Sequence, residues 1–527
     1  MHSIGALDYA VLVTYFITVI LIGLYFTRRQ TSTNEYFLAS KSIPWLPLGI
    51  SMYVTQFSSI SLLMNPAETF QYDLQFLSYN LVIPLAAAVT IVIFIDLYSR
   101  LSITTAFEYL ELRFNGALRL LCSVIYLLAR GLYAGIVLFS LALALSVVTG
   151  IDIVIVLLLV GTVSIIYTLL GGMRAVIWTD VMQFCVLFSG VLFSLWLIVN
   201  KLEGGLGELI DLGLAHNKFR LVNPAEFSFS QRYTFWGLMF FGMTLFLSHK
   251  GTDQLNVQRY LSGKSTAHSK GALLFSAFVS PPIQALLYFL GIGLFVYYLK
   301  HPDPHVTHLI ADNDIKSIYP YFIVSLVPAG LRGLLLGGLL AAAMSSIDSV
   351  LNTLSAVTVT DIYKRWLHKG VDPVRELLVA KLMIVLWGLV VTSFAFAMMD
   401  VQSLLETVNT VLSVFLGQLL GVFLLGVLSS RATGWGVLIG AALGQLTILL
   451  IRYNLIHILD GRLVFSLSSG VGEGLCGESI SFIWYLPAGA TVTIVVGYLA
   501  SLLFAAPEKE KIKPYMWKWL GWRKVVS

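Results

Sequence analysis

Charged residues are scarce in this sequence. Of its 527 residues only 12% are Asp, Glu, Lys or Arg, whereas 57% are hydrophobic. Soluble domains carry about 25% charged residues, so this composition excludes an ordinary soluble protein. It indicates an integral membrane protein with an all-α fold, because helices satisfy their own backbone hydrogen bonds in lipid.

Cysteines and histidine motifs are scarce as well. Cys122, Cys185 and Cys476 are too few and too scattered for a disulfide framework or a metal cluster. The nine histidines include no HExxH motif and no recognisable triad spacing, so no catalytic residue and no enzyme activity is predicted. The net charge of +5 requires no nucleic-acid partner, since membrane topology explains its placement better.

Long apolar runs make up most of the chain. Dividing it into segments of about 20 residues, the length that spans a bilayer, predicts about 13 transmembrane helices. The segments lie near residues 6–26, 45–70, 74–98, 120–149, 151–170, 175–199, 234–250, 271–299, 331–361, 376–398, 402–428, 434–451 and 480–506.

Lysine and arginine predict the orientation of these helices. With residue 1 outside, most of the 33 basic residues fall on the inner side, including those of "QRYLSGKS" at 258–265 and "YKRWLHKG" at 363–370. Cytoplasmic loops are enriched in Lys and Arg. We therefore expect a multi-pass protein of the cell membrane with an outside N-terminus and a cytoplasmic C-terminus.

Two predicted helices are interrupted by polar residues. The second contains "VTQFSSIS" at 54–61, and the seventh ends in "HKGTDQ" at 249–254. Interrupted spans are the best sequence indication of a transporter binding site, because exposed backbone is tolerated only where it lines a cavity. A passive channel needs no such pair.

The spacing of these two interruptions predicts the domain organisation. Five spans separate them, which indicates two five-helix repeats, one of helices 2 to 6 and one of helices 7 to 11. The predicted units are an extra first helix with its inner loop, the two repeats, and two trailing helices with a cytoplasmic tail, at residues 1–44, 45–200, 201–430 and 431–527.

A polar stripe lies on the ninth predicted helix. In "AAAMSSIDSVLNT" the side chains of Ser345, Asp348, Ser349 and Asn352 recur at helical spacing, so they share one face. A carboxylate at mid-membrane costs about 2.5 to 3.5 kcal/mol even on lenient scales, so Asp348 requires a cation or a proton.

Asp180 is a second acid inside a predicted span, on helix six. Two acids among several hydroxyls suit a small hard cation such as sodium, which prefers oxygen ligands. A proton relay and a pairing with a neighbouring arginine are the alternatives.

Several motifs resemble the solute:sodium symporter family. They are "YTLLGGMRAVIWTDVMQ", "DQLNVQRYLSGKS" and "AAAMSSIDSVLNTLSAVTVTDIYKRW". The pattern of Pro66, Glu68, Phe70 and Tyr72 is most similar to the iodide, multivitamin, monocarboxylate and sialic-acid branch. The resemblance implies the leucine-transporter-like 5+5 inverted-repeat fold and transport by alternating access.

The resemblance also implies two ion sites. The family's main sodium site corresponds here to Val54, Phe57, Ala342, Ser345 and Ser346. A second sodium site found in some members corresponds to Asp180, Asp348 and Ser349. Those members commonly have Ser or Thr where this chain has Asp348, which leaves open whether one or two ions move per cycle.

The resemblance further implies a substrate cavity. Its predicted residues are Gln56, Ser58, Ser59, Ser61, Tyr79, Asn80, Tyr133 and His249. Arg130 lies one turn before Tyr133, where the sialic-acid branch uses an arginine, and it either faces the cavity or reaches the inner membrane interface. Sugar-transporting members have a lysine where this chain has Val279, which disfavours glucose or galactose.

These observations predict a sodium-coupled secondary active symporter that imports a small polar organic solute. The predicted cavity residues include no acid, so the solute is expected to be anionic or neutral, with a carboxylate or sugar acid favoured over a neutral sugar or polyol. Sodium is the only expected cofactor. The expected partners are the solute, sodium ions and the lipid bilayer.

Overall fold

The structure is a computed structural model. It describes residues 5–27, 32–101, 103–222, 227–367, 372–399, 404–453, 455–459, 462–465 and 479–517.

The first part of the chain forms ten α-helices. In chain order they are α1 (Ala6–Thr27), α2 (Thr33–Leu38), α3 (Trp45–Val54), α4 (Ser59–Gln71), α5 (Ile83–Thr90), α6 (Asp96–Arg100), α7 (Ala106–Arg113), α8 (Gly116–Thr149), α9 (Ile153–Lys201) and α10 (Gly205–Ala215). A 3-10 turn before α5 and a π turn between α5 and α6 join these two helices into one further rod over Gln75–Arg100.

The second part of the chain contains the remaining helices and one β-hairpin. The helices are α11 (Phe235–Leu247), α12 (Gln254–Ser262), α13 (Thr266–Lys300), α14 (Pro304–Ala311), α15 (Ile318–Leu326), α16 (Leu331–Val357), α17 (Pro373–Ala397), α18 (Leu404–Leu428), α19 (Gly434–Arg452), α20 (Tyr485–Ser501) and α21 (Lys509–Ile512). The antiparallel hairpin joins β1 (Ile456–Leu459) to β2 (Arg462–Phe465).

The number of membrane spans is close to the prediction but does not confirm it. Among the described residues, 10 helical segments are long and apolar enough to cross a bilayer, or 11 if the bent pair α3 and α4 forms one span. The predicted count of 13 therefore stays a prediction, as do the repeat boundaries.

Helix α9 accounts for part of the difference in count. It has 49 residues, a length of about 74 Å, which is more than twice the thickness of a bilayer core. Gly172 interrupts it with φ 59, a left-handed conformation that glycine adopts without strain. This break falls between the predicted spans 151–170 and 175–199.

The first interrupted helix is broken where the sequence predicts. Helices α3 and α4 meet at an angle of 60°, and residues 55–58 between them are not helical. Ser58 is extended at φ −105 and ψ 175 and precedes the first turn of α4. The break leaves backbone carbonyls of the last turn of α3 without helical donors.

The second half of this broken helix is held firmly against α13. Gly291 allows the close approach, because a Cβ there would lie only 2.1 Å from the Pro66 carbonyl oxygen. Thr69 Oγ1 donates to the Tyr288 carbonyl oxygen at 2.6 Å. These contacts fix α4 against α13.

The second interruption also lies at its predicted place. A π turn over Ser248–Thr252 ends α11, and Asp253 begins α12 by accepting the Leu255 amide N–H at 3.0 Å. Asp253 is extended at φ −81 and ψ 123, so the chain changes direction here.

Helix α16 lies at the centre of the molecule. Nearly all of its residues are buried, and it packs against α1, α8, α9 and α17. Small side chains over residues 337–346 allow neighbouring backbones to approach closely, as is usual for helix packing in membranes. The polar stripe of α16 is therefore entirely inside the protein.

Candidate functional site

The end of α3 meets the middle of α16 at a cluster of oxygen atoms. Ser345 Oγ donates to the Ala342 carbonyl at 3.1 Å and to the Val54 carbonyl at 3.4 Å. Ser346 Oγ donates to the Thr55 carbonyl at 3.0 Å. These residues are fully buried, so their oxygen atoms form a compact set of neutral ligands.

Four of the five residues predicted for the main sodium site meet in this cluster. They are Val54, Ala342, Ser345 and Ser346. The fifth, Phe57, lies in the same break, where its amide N–H donates to the Val54 carbonyl at 2.9 Å. Thr55 supplies the second carbonyl that contacts α16, two residues before the predicted Phe57.

Carbonyl and hydroxyl oxygens of this kind fit sodium. A hard cation binds neutral and charged oxygen ligands, and the break in α3 makes its last carbonyls available. In the structure the serine hydroxyls donate to those carbonyls. A bound cation would replace these hydrogen bonds, and the serine hydroxyl oxygens and the carbonyl oxygens would both face the ion.

Asp180 lies beside this cluster and is paired with an arginine. Its Oδ2 accepts from Ser51 Oγ at 2.6 Å and lies 3.3 Å from Arg259 Nη2. Arg259 Nη2 also donates to Ser349 Oγ at 2.6 Å and to Thr55 Oγ1. All of these groups are buried.

Arg259 belongs to the basic stretch 258–265, which the sequence predicts to lie on the inner side. Its side chain is 0% exposed. It lies on α12 and reaches into the predicted second ion site. A guanidinium inside the protein does not report on membrane orientation.

Asp348 is also buried, one residue from Ser349. Its Oδ1 accepts the Ser349 amide N–H at 2.5 Å. Its Oδ2 and the Asp180 Oδ1 are both buried without a hydrogen-bond partner. Among the described residues Arg259 pairs with Asp180 and not with Asp348. If both carboxyl groups are ionised, one further positive charge, a cation or a proton, would balance the second.

A cavity of about 160 Å³ opens next to the break in α3. Seven of the nine predicted substrate residues line it, and no Asp or Glu does so among the described residues. The seven are Gln56, Ser58, Ser61, Tyr79, Arg130, Tyr133 and His249. The predicted cavity thus exists, while its role in substrate binding stays a prediction.

Two predicted residues do not line the cavity. Ser59 Oγ donates to the Val137 carbonyl at 3.1 Å and lies 2.5 Å from Ser140 Oγ, so it joins α4 to α8. Asn80 Nδ2 donates to the Leu77 carbonyl at 3.0 Å, within its own turn. The Ser59 hydroxyl thus bonds a neighbouring helix and the Asn80 amide N–H bonds its own turn, and neither residue lines the cavity.

Val279 does not line this cavity either. It lies with Trp45, Phe275 and Phe278 in a separate apolar groove. Sugar-transporting members have a lysine at this position. Because Val279 lies outside the cavity, its difference from that lysine does not by itself argue against a sugar as solute. Ser276 and Ser280, on the same helix, do line it.

Arg130 is buried inside the protein and lines the cavity. Its side chain is 2% exposed, forms an ion pair with Asp253 and lies over the Tyr133 ring at 5.0 Å. Asp253 uses its other oxygen to accept from the first turn of α12. The positive charge of Arg130 is thus already neutralised at the floor of the cavity.

Lys250 is a second cation in the cavity wall and was not predicted. Its Nζ donates to the Met52 carbonyl at 2.8 Å and to Asn256 Oδ1 at 3.0 Å. The adjacent His249 has a buried Nε2 without a hydrogen-bond partner. The signal was present in the sequence, since a lysine next to a helix break is unusual.

Amide groups form another part of the cavity wall. Asn65 on α4 donates to Gln284 on α13 at 2.5 Å, and Asn409 on α18 also faces the cavity. Gln56 Nε2 is buried without a hydrogen-bond partner. This wall can donate and accept hydrogen bonds, which suits hydroxyl groups of a solute.

Comparison with known proteins identifies the family. The model of the sodium:solute symporter family matches residues 36–444. The chain belongs to this family.

The symporter is similar to several characterised relatives. It is 29% identical to the sodium/sialic acid symporter of Proteus mirabilis over 97% of both chains. It is 32% identical to the human sodium/iodide cotransporter over 84% of this chain and 69% of that protein. The protein is therefore a sodium-coupled symporter of a small organic solute, with multiple membrane helices.

Solved structures support the fold. A Na+-coupled sialic acid symporter in a substrate-bound outward-open state matches with a TM-score of 0.85 and 28% identity, over 96% of this chain and 99% of that one. A nucleobase-cation-symport-1 transporter matches with a TM-score of 0.55 at 13% identity, over 91% of this chain and 97% of that one. The fold is thus the leucine-transporter-like fold of coupled transporters.

Two charged clusters lie towards opposite ends of the symporter. The Glu68 cluster consists of Glu68, Tyr72, Arg232 and Tyr233 near the end of α4, which packs against α15 ahead of the start of α16. The second cluster surrounds Asp361, beyond the other end of α16.

The second cluster, called the Asp361 cluster, consists of Asp361, Arg119, Glu111 and Arg365. Arg119 contacts Asp361 at 2.5 Å and Glu111 at 2.8 Å, while Arg365 contacts Glu111 at 2.5 Å. Hydrogen bonds from Arg365 hold the pKa of Glu111 below its ordinary value. These pairs join α7 and α8 to the end of α16.

Proposed function

We propose that the symporter imports a small anionic solute, a carboxylate or a sugar acid, together with sodium. One observation carries this proposal. The cavity wall contains the cations Arg130 and Lys250 but no carboxylate among its described residues, and only Arg130 is neutralised by a nearby acid. An anion would balance the remaining charge, whereas a cation would be repelled.

The hydroxyl and amide wall supports the same class of solute. Gln56, Ser61, Asn65, Gln284 and Asn409 can pair with hydroxyl groups. A sugar acid could place its carboxylate beside the basic residues of the cavity and its hydroxyl groups beside these hydroxyl and amide side chains. Relatives include symporters named for sialic acid, iodide and monocarboxylates, which are anionic solutes. A neutral sugar or polyol is the second candidate, because the amide wall alone suits it.

The oxygen cluster of α3 and α16 is the proposed main sodium site. Val54, Thr55, Ala342, Ser345 and Ser346 supply its oxygen atoms. Phe57 supplies a further carbonyl if the turn after α3 tightens around the ion. Sodium there would stabilise the broken helix in the position that also forms the cavity wall.

Asp180, Asp348 and Ser349 form a proposed second cation site. Arg259 occupies one side of it and neutralises one of the two carboxylates. The unpartnered carboxylate oxygens supply ligands for the second cation. Two sodium ions per cycle are therefore proposed, with one sodium and one proton as the alternative.

The transport direction follows from the proposed orientation. With residue 1 outside and the C-terminus in the cytoplasm, the Glu68 cluster closes the outer end and the Asp361 cluster closes the inner end. We further propose that the chain has 13 spans and that residues 45–200 and 201–430 form two inverted repeats. Alternating access would open the two clusters in turn.

Transport in proteoliposomes tests this proposal. An inward sodium gradient should drive uptake of sialic acid, gluconate or lactate, and replacing sodium by choline should abolish it. Counterflow of labelled against unlabelled solute should occur without a gradient, because only a carrier exchanges solutes. Uptake without counterflow would indicate a channel. Uptake of amines in preference to all three acids would contradict the proposed solute class.

A further inference from the structure

Lys250 is a buried cation without a carboxylate partner in the described part of the chain. The residue is 3% exposed, and its Nζ contacts only neutral acceptors, the Met52 carbonyl and Asn256 Oδ1. These bonds use two N–H donors of the amine, and a protonated Nζ has a third. No carboxylate of the described residues forms an ion pair with it, so a bound acid would supply the charge that stabilises the protonated form.

The other buried cations near the cavity differ from Lys250 in this respect. Arg130 is paired with Asp253, and Arg259 is paired with Asp180. Burying an unpaired charge is costly, so buried charges are normally paired within the protein or by a ligand. Since Lys250 lines the cavity, a solute is in a position to supply the missing negative charge.

We infer that Lys250 is the residue that selects for an acidic solute by binding its carboxylate. This assignment rests on the proposed function. The sequence indicates Arg130 as the residue that binds an anion, whereas the structure favours Lys250, which lies one turn before Asp253. Arg130 then acts as a positioning residue that holds the start of α12 through Asp253. His249, next to Lys250, has a buried Nε2 without a hydrogen-bond partner and lines the same cavity, so it can bond the same end of the solute.

The position of Lys250 also connects the solute to the sodium site. Its Nζ holds the carbonyl of Met52, two residues before Val54, whose own carbonyl faces Ser345. A carboxylate that draws Lys250 into the cavity therefore changes the hydrogen bonding of the last turn of α3. Because coupling between two ligands is reciprocal, an acidic solute should strengthen sodium binding and sodium should strengthen binding of the acid.

The test compares acids with matched neutral compounds on the full-length protein in detergent. The pairs are sialic acid and its methyl ester, gluconate and glucose, and lactate and lactamide. Thermal stabilisation is measured for each compound with and without sodium, in wild type, Lys250→Met and Lys250→Arg. Lys218→Met is the matched control, because Lys218, like Lys250, donates to two neutral acceptors, here the carbonyls of Phe70 and Tyr72, but does not line the cavity.

Wild type and Lys218→Met should prefer at least one acid over its neutral partner by about tenfold or more, the effect of one charge-assisted hydrogen bond. Lys250→Met should lose this preference and lose the mutual strengthening between acid and sodium, while sodium alone still stabilises it. Lys250→Arg should retain part of the preference, since it keeps the charge. If Lys250→Met does not remain folded, Lys250→Gln replaces it, because its amide can still donate to the Met52 carbonyl.

The outcomes separate this inference from the proposed function. If wild type prefers the acid and a folded Lys250→Met keeps that preference, the assignment to Lys250 is wrong and the proposed function stands. If wild type binds the neutral compounds as tightly as the acids, or binds none of the six although sodium stabilises it, the proposed solute class is wrong.

Discussion

Arg259 and Asp180 form an ion pair that is completely enclosed by the protein, with 3.3 Å between Nη2 and Oδ2. The pair lies where the sequence predicts a second sodium ion. Since Asp348 is also buried there, the local charge is negative by one unit when both carboxyl groups are ionised and no ion is bound. A second cation or a proton would neutralise this remaining negative charge. The number of sodium ions moved per cycle therefore tests whether the site binds a cation.

Sodium cooperativity should depend on Asp348. If two sodium ions bind, the Hill coefficient of wild-type uptake should be near two at saturating solute and should fall towards one in Asp348→Ala, because the second site loses a carboxylate. Uptake at several sodium concentrations measures this. One ion falling through about 100 mV with a tenfold gradient supports accumulation of about 500-fold, and two ions square that factor.

The control for this prediction is Thr353→Val on the same helix. Thr353 is buried but pairs with Tyr126 at 3.1 Å, away from the carboxyl groups. It should keep the wild-type coefficient. A wild-type coefficient of one would contradict two sodium ions, and an uptake that depends on a proton gradient would show that a proton replaces the second ion.

The serines of α16 should determine the affinity for sodium. Ser345→Ala or Ser346→Ala removes one oxygen ligand that neither lipid nor the neighbouring carbonyls can replace. A loss of about 1 kcal/mol corresponds to a roughly fivefold higher sodium concentration for half-maximal uptake. Ser355→Ala is the matched control, since Ser355 Oγ donates to the Ala380 carbonyl at 2.7 Å and is remote from α3. Unchanged sodium dependence in both site variants would rule out the assigned main site.

The sequence predicts those parts of the site that depend on local pattern. The break after Val54 follows from its run of polar residues, and the buried face of α16 follows from the helical spacing of Ser345, Asp348 and Ser349. Such features extend over one or two turns of a single segment. They can therefore be read without knowledge of the neighbouring helices.

Contacts between distant segments could not be predicted in this way. Arg259 reaches Asp180 across 79 positions, and Asn65 reaches Gln284 across 219 positions. A basic residue near a predicted loop is normally assigned to solvent, and the distribution of Lys and Arg therefore counts Arg259 with the inner side without indicating its burial. Only the packing of α12 against α3 and α16 shows that this side chain points inwards.

Arg130 and Asp253 should depend on each other for stability. Arg130→Gln leaves a buried carboxylate without its partner, so the free energy of unfolding should fall by about 3 to 5 kcal/mol. Asp253→Asn removes the second charge while an amide oxygen remains to begin α12, so the double variant should recover much of the loss. Thermal unfolding of both single variants and the double variant gives the coupling energy. A double variant no more stable than Arg130→Gln would show that the two charges are not coupled.

The Glu68 cluster joins two parts of the chain that must separate if this end of the symporter opens. Glu68 on α4 is buried, accepts from Tyr233 Oη at 2.9 Å and lies 3.2 Å from Arg232 Nη2. Arg232 also lies over the Tyr72 ring at 4.4 Å. The bond from Tyr233 survives a change of Glu68 to an amide, whereas the ion pair does not.

Glu68→Gln should therefore shift the symporter towards the state that is open at this end. Because Arg232 is partly exposed, the lost ion pair is worth about 0.5 to 1 kcal/mol, which predicts a two- to fivefold larger open population. A cysteine placed in the cavity by Ser280→Cys, with Cys185→Ser to remove an exposed thiol, should then react that much faster with a membrane-impermeant thiol reagent. Glu208→Gln breaks a surface pair with Lys300 and should leave the rate unchanged. A rate in Glu68→Gln equal to or below that of the Ser280→Cys parent would show that this ion pair does not hold the end closed.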